Sequence, residues 1–400
     1  MMGIVAKRNK IRDYFNKKIS NPAEKLYFIG FIVYALVNYL RGTMFTQYLS
    51  SPVLYDFMKV SAIFVVIKIL LFDSWELKDL TIFLLLGILI EFTCRVSYDY
   101  DIYYYGILIL GAKGIKFSKI LKTYLILIGA ALILTIIASQ VGLVYNITFG
   151  RHGTPIVRYA LGAVYPTDFA ARVFYLMLFY TVFKKFKLSL PEYISLGAVT
   201  VAMYVLTDTR LDTVLMLLVI LVAIFYKYVV RFISYVSAKI MNIMIVAFIM
   251  FNIVLAYLFV PSNPIFKIIN KILSQRLVYG NMAFKRYNVP LLGQFVPQMG
   301  NGGLHHGPYD YFFIDSSFIR VLMMHGIWAF LFTMILIMFL SYKFISKKYF
   351  ILEIALLLVI LSSVIDQHMW EISFNIIFVG LFAQISDKYK ESETDLKVVK

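Results

Sequence analysis

Stretches of about 20 mostly apolar residues recur along the whole chain, and each is long enough to cross a lipid bilayer as a helix. They begin near Leu26, Phe57, Leu80, Tyr103, Tyr124, Pro166, Leu190, Leu211, Ile240, Ser317, Phe350 and Ile372. About twelve spans are expected on this spacing, the fourth and the last being short for the purpose. The 400 residues are 61% hydrophobic, against about 45–50% in soluble domains. Too little polar surface remains to cover a water-soluble globule, so the excess must face lipid. An all-α, polytopic membrane protein is the fold class this composition allows. A single cysteine, Cys94, excludes an intramolecular disulfide and any multi-cysteine metal cluster.

Charge sets the expected threading. Basic residues collect on the cytoplasmic side of membrane proteins. Residues 1–25 form a basic tail, and the run from Leu26 reads as a retained signal anchor because no small-residue cleavage site follows it. Every second connection is then also basic: Lys113 to Lys122, Lys184 to Lys187, Lys227 to Lys239 and Lys343 to Lys348. Only DSWELKD at 73–79 departs from this. Both termini are expected in the cytoplasm, in a cell-membrane protein with nine spans over 26–260, a large extracytoplasmic loop over 261–316, three spans over 317–386 and a tail over 387–400. Within the loop, IFKIINKILSQRL places apolar residues at helical spacing beside lysine and arginine. That pattern suits a helix lying in the membrane interface.

Arginine and lysine take opposite sides on this threading. Nearly all lysines fall inside, with Arg8, Arg12 and Arg231. The other nine arginines, Arg41, Arg95, Arg151, Arg158, Arg172, Arg210, Arg276, Arg286 and Arg320, fall on outer loops or in the outer half of a span. Arginine's planar fork grips phosphate oxygens in pairs and tolerates partial burial better than an ammonium does. An outer surface that holds phosphate or pyrophosphate is the functional reading. Attraction to anionic lipid headgroups is the plain alternative. From Pro261 through Tyr309 the loop holds Lys267, Lys271, Arg276, Lys285 and Arg286, with no Asp or Glu.

Four local constellations carry candidates. In TDTRLDTVLM at 207–216, a Thr or Asp caps a span and Arg210 stands at its N-terminus, where backbone N–H groups favour an anion; equally, Arg210 pairs with Asp208 or Asp212. GRHGTPIVRYALGAVYPTDFAAR at 150–172 carries Arg151 and Arg158, while Asp168 and Arg172, spaced i, i+4, are expected to satisfy each other. GNGGLHHGPYDYFFIDSSF at 300–318 carries His305 and His306 beside glycines, too few ligands for zinc. In YFFIDSSFIRVLMMHGIWAF at 311–330, Asp315 and two serines suffice to cap a span. Arg320 lies more than a turn inside that span, where a charge costs about 2.5–3.5 kcal/mol at mid-membrane unless it meets a partner, water or substrate. His325 lies deeper and is explained by a hydrogen-bonded core position alone. DQHMWE at 366–371 reads first as a wet loop, with a contribution to a cavity rim as the alternative.

Three of these passages resemble Wzy-type polysaccharide polymerases, relatives of the O-antigen ligases. RYALGAVYPTDFAA, with Arg151 followed after ten residues by Gly162, resembles their arginine–glycine outer loop. LTDTRLDTVLMLLVIL resembles their short polar turn before an apolar helix, and YFFIDSSFIRVLMMHGIWAF the end of their large loop. Ligases usually show His then Asn where this chain has Asp315 and Ser316, which favours a polymerase. The resemblance implies a metal-independent, GT-C-like membrane glycosyltransferase without a cofactor. It would join oligosaccharide repeat units carried on undecaprenyl pyrophosphate, for a capsule, exopolysaccharide or O-antigen. Membrane lipids, a chain-length regulator and a flippase would be its partners, and nucleic acid would not. Arg151, Arg158, Arg210, Arg276 and Arg320 would balance the leaving pyrophosphate, with Arg286 and His305 in support. Asp315, or second His306, would be the general base. A flippase of lipid-linked oligosaccharide and a ligase-like transferase are the rival readings.

Overall fold

Apolar segments of this length satisfy their backbone by coiling, and the computed structural model is accordingly 72% helical. It describes residues 2–150, 155–304 and 310–391. The helices are α1 (Met2–Lys18), α2 (Pro22–Arg41), α3 (Ser51–Phe72), α4 (Leu77–Ser97), α5 (Asp101–Gly111), α6 (Phe117–Gln140), α7 (Pro166–Phe183), α8 (Leu190–Thr207), α9 (Arg210–Ile224) and α10 (Tyr226–Tyr235). There follow α11 (Ala238–Tyr257), α12 (Pro264–Ile272), α13 (Arg276–Arg286), α14 (Ser317–Arg320), α15 (Gly326–Ser346) and α16 (Phe350–Ile365). A two-stranded antiparallel hairpin, β1 (Thr148–Gly150) and β2 (Val157–Tyr159), lies between α6 and α7. Proline in the first two positions starts α2, α3, α7, α8 and α12, where its missing N–H goes unmissed.

Among the described residues, six helices are long and apolar enough to cross a membrane: α2, α4, α6, α8, α11 and the unit from α14 through α15. The pair α9 and α10, bent by 84°, makes a seventh if taken as one span. The protein is therefore membrane-embedded, with fewer such spans than the twelve expected. The shortfall has local causes. α3 and α7 are long but carry charge inward, Lys68 and Arg172 each being 1% exposed. Lys68 is neutralised by Asp73 at 2.6 Å. α5 has only 11 residues and α16 has 16.

The run expected to form the last span is not an α-helix. Residues 366–386 form short 3-10 turns and irregular chain, and from Met369 through Val379 all but the half-buried Glu371 are buried. Ile372, Ile376, Ile377, Val379, Asn375 and Gly380 are poor helix formers. Irregular backbone survives at membrane depth only when protein supplies its hydrogen bonds. Here the Tyr105 hydroxyl donates to the Asn375 carbonyl (2.6 Å) and the Tyr124 hydroxyl to that of Phe374 (2.6 Å). The Ser373 amide donates to Asn38 Oδ1 (3.0 Å), and Lys343 donates to the carbonyls of Gly380 and Leu381. Asn375 itself bridges the Met369 carbonyl and the Ile377 amide, at 2.8 and 3.0 Å. Asn375→Leu should cost about 1–3 kcal/mol for each backbone group left unpaired. Thermal unfolding in detergent checks this; an unchanged midpoint would mean the bridge contributes nothing.

The long connection 261–316 is ordered where it is described. α12 turns Ile265, Ile268 and Ile272 outward, as an interfacial helix would. The single helix expected through residue 277 breaks at Ser274 and Gln275, both at positive φ, and this break turns Arg276 inward. Further on, a π turn over Val321–His325 ends at Gly326, where φ is 86°. A Cβ there would sit 2.7 Å from the Gly293 amide nitrogen and 2.8 Å from the Leu291 and Pro290 carbonyls, so only glycine lets segment 290–293 pack so close.

Candidate functional site

The turns 97–101, 207–210 and 365–368 come together with the hairpin and the long connection around two adjoining cavities at one end. Arg41, Arg158, Arg172, Arg210, Arg276 and Arg320 gather at this end. Lys119 instead meets Glu24, and Lys113 lies 3.7 Å over the Trp75 ring. Two cavities open within the arginine end. The larger, about 1040 Å³, is lined by Arg158, Arg210, Arg276, Asp315 and aromatic rings that include Tyr165, Tyr279, Tyr311 and Phe313. The smaller, about 200 Å³, lies against Arg41, Arg172, Arg320, Asp99, Asp101, His325 and Glu371. Val164, Asp168, Gln367 and His368 line both and form the wall between them.

In the larger cavity, Arg158 is 9% exposed. Its Nε donates to the Thr207 carbonyl (2.8 Å), and its guanidinium lies 5.5 Å from the centre of the Tyr165 ring. No carboxylate among the described residues lies within ion-pair distance of it. Arg210 is mostly exposed, with its Nε 3.9 Å from Asp208, so the expected pairing and the position at a helix N-terminus both hold. Thr209 precedes α9, but no side chain caps it. Arg276 is fixed by the Ile365 and Ser274 carbonyls and lies 3.7 Å from Asp315. Burial, only partly offset by Arg276, pushes the Asp315 carboxyl above the usual carboxylate range.

Arg320 is in the smaller cavity. It donates to Gln298 Oε1 (3.1 Å) and pairs with Asp99 at 3.3 Å, so the partner that its depth demanded is an acid on the α4–α5 turn. The same Asp99 faces His325 Nε2 at 3.8 Å, while His325 Nδ1 lies 3.2 Å from Ser97 Oγ. Although burial opposes it, His325, Arg320 and Arg41 hold the Asp99 carboxyl well below its ordinary range. Arg41 pairs with Asp101 at 2.7 Å.

Three expectations fail here. Asp168 and Arg172 do not pair. Arg172 donates to the Gly42 and Tyr39 carbonyls between the Tyr39 and Phe374 rings, and Asp168 faces His368 Nε2 at 3.6 Å. The supposed wet loop DQHMWE is instead the floor of both cavities, with Asp366, His368 and Trp370 buried. The expected cap at Asp315 is also absent: the Ser317 hydroxyl donates to the Asp366 carbonyl (2.5 Å) and ties α14 to this floor. Arg286 lies outside both cavities, paired with Asp310 at 2.5 Å. Arg151, His305 and His306 fall outside the described residues. Sequence reasoning passed over Asp99, Asp101, His368 and Glu371 as site residues; acids and a histidine beside apolar runs were the available signal.

His368 is held between two carboxylates, with Nδ1 2.8 Å from Glu371, and its ring stacks on Phe374 at 3.7 Å. Burial works against its charge, but Glu371 and Asp168 outweigh it and lift its pKa from 6.5 to about 10. A folded-state value above the ordinary one stabilises the fold fully below pH 6.5, and that contribution is lost as pH rises through about 10. The melting temperature should therefore fall between pH 7 and 10 more steeply in the wild type than in His368→Gln. Parallel curves would deny the imidazolium this role.

Among the described residues, no three His, Cys, Asp or Glu side chains are grouped to hold a metal ion. Fold and site together define a mostly helical membrane-embedded protein with a charged double cavity at one end. No protein-family model, curated protein or solved structure matches the chain.

Proposed function

We propose that this protein is a Wzy-type polysaccharide polymerase that joins lipid-linked oligosaccharide repeat units. The observation that carries the reading is Arg158: a buried guanidinium with no carboxylate beside it among the described residues, at the wall of a cavity large enough for a sugar diphosphate. A buried charge of this kind needs an anion to complete it. Arg210 lines the same cavity and supplies a second cation for a diphosphate. The donor is a glycan on undecaprenyl pyrophosphate and the acceptor a single lipid-linked repeat. The acceptor's oxygen bonds to the anomeric carbon, and the bond from that carbon to the diphosphate breaks. Its electrons leave with the lipid diphosphate, and Asp315 takes the hydroxyl proton. Both termini are cytoplasmic in this reading, and the cavities open on the far side of the cell membrane.

Reconstitution tests it. Purified protein supplied with lipid-linked repeat units alone should produce a ladder of longer glycans. Movement of a fluorescent lipid-linked sugar across liposomes with no ladder would identify a flippase. Transfer only to a different acceptor, such as a lipid A core, would identify a ligase.

A further inference from the structure

α9 begins at Arg210 in the wall of the larger cavity, and its 15 residues carry the chain about 20 Å away before the bend. There α10 turns off by 84°, so it lies across the direction of α9 and close to the plane of the membrane. α11 follows two residues later and has 20 residues, which is about 30 Å, the thickness of a hydrocarbon core. α10 sorts its side chains onto three faces. Tyr226, Val230 and Ile233, spaced i, i+4, i+7, are buried, and Tyr226 stacks on Phe186 at 5.3 Å. Tyr228, Phe232 and Tyr235 share that spacing on another face and are 63%, 62% and 77% exposed. Lys227 and Arg231, spaced i, i+4, are exposed between these two faces, and the Arg231 Nε donates to the Tyr235 hydroxyl at 3.5 Å. The Phe186 stack also brings the turn carrying Lys185 and Lys187 against α10. α10 has no Asp or Glu. Of the acids beside it, Glu192 is taken by Lys184 (2.9 Å) and Tyr180, and Glu391 accepts from Tyr226.

We propose that α10 is an in-plane helix that holds an anionic phospholipid, with Lys227 and Arg231 on its headgroup and Tyr228, Phe232 and Tyr235 against its acyl chains. A helix lying in the interface needs one face on the protein, one in lipid and one among headgroups, and α10 has all three. Tyrosine suits the boundary because its ring is apolar and its hydroxyl polar. The same stripe favours a lipid over a free phosphate: a soluble anion would meet the cations and leave three large rings in water. The cations favour an anionic headgroup over a zwitterionic one, since each basic residue near an anionic surface adds attraction. The site lies away from both cavities and stands without the polymerase reading.

Two measurements on the full-length protein test it. First, a nitroxide is attached at Lys227→Cys or Phe232→Cys, each with Cys94→Ser, in vesicles of phosphatidylcholine and phosphatidylglycerol. The label at 232 should collide mainly with oxygen, and the label at 227 mainly with a water-soluble nickel chelate. Equal nickel access at both would place α10 in water and overturn the in-plane position. Second, mass spectrometry of the intact protein counts lipid retained from micelles that contain phosphatidylglycerol or phosphatidylcholine. Phosphatidylglycerol should be preferred, and Lys227→Gln combined with Arg231→Gln should lower that preference at least about 5-fold at an unchanged melting temperature. Equal retention of the two lipids, or a preference that the double variant leaves intact, would overturn the headgroup site. Displacement of phosphatidylglycerol by inorganic phosphate would make it a free-anion site and overturn the lipid.

Discussion

Arg158→Lys is expected to lower ladder formation on the order of 100-fold while the membrane holds a normal amount of folded protein. Lysine keeps the charge and loses the fork. In the wild type, Nε is spent on the Thr207 carbonyl, which aims the guanidinium beside Tyr165. A lysine ammonium has no equivalent anchor and cannot meet two phosphate oxygens in one plane. Losing a preorganised donor to transition-state charge typically costs about 10²–10³ in rate. Arg158→Ala should be at least as inactive, yet its melting temperature should hold or rise, because an uncompensated buried charge has been removed. That divergence of activity from stability separates a ligand-binding cation from a structural one. A Lys variant with full activity would take Arg158 out of the site.

The second large effect concerns Asp315. Asp315→Asn should lower the rate by about 10²–10⁴, the usual contribution of a positioned proton acceptor. The pH dependence carries more information. A base must be ionised to act, and burial raises the Asp315 carboxyl. Wild-type activity should therefore fall as pH drops through that raised value. Arg276, 3.7 Å away, pulls in the opposite direction. Arg276→Met should move the acid limb to higher pH, since the carboxylate loses the cation that favours it. Should Asp315→Asn stay active and the limb stay put in Arg276→Met, the proton goes elsewhere.

Much of this molecule was readable along the chain. Periodic apolar runs and the sorting of arginine from lysine place Arg158, Arg210 and Arg276 at one end, and they line one cavity. Arg320 needed a partner, and it has Asp99 and Gln298. The partners themselves were not legible. Asp99 lies 221 residues from Arg320, and Asp168 lies 200 residues before His368, so no local spacing announces either contact. The i, i+4 rule favoured a pair between Asp168 and Arg172, but His368 and the backbone carbonyls of α2 lay nearer. Local geometry is a weak preference of about 0.2–0.5 kcal/mol for such a pair, and a buried imidazolium outcompetes it.

The stretch from Ile372 shows the division most plainly. Hydropathy alone established that it belongs inside, because so many apolar side chains have no other stable place. Whether it would coil was decided by its neighbours: Asn38, Tyr105, Tyr124 and Lys343 offer hydrogen bonds that free its backbone from the helix. Along the chain, then, the order of residues determined which segments leave water and which end of the molecule carries guanidiniums. Which charges meet, and where a cavity remains between them, depended on the packing of distant segments, since a buried ion is stable only beside a partner that tertiary structure delivers.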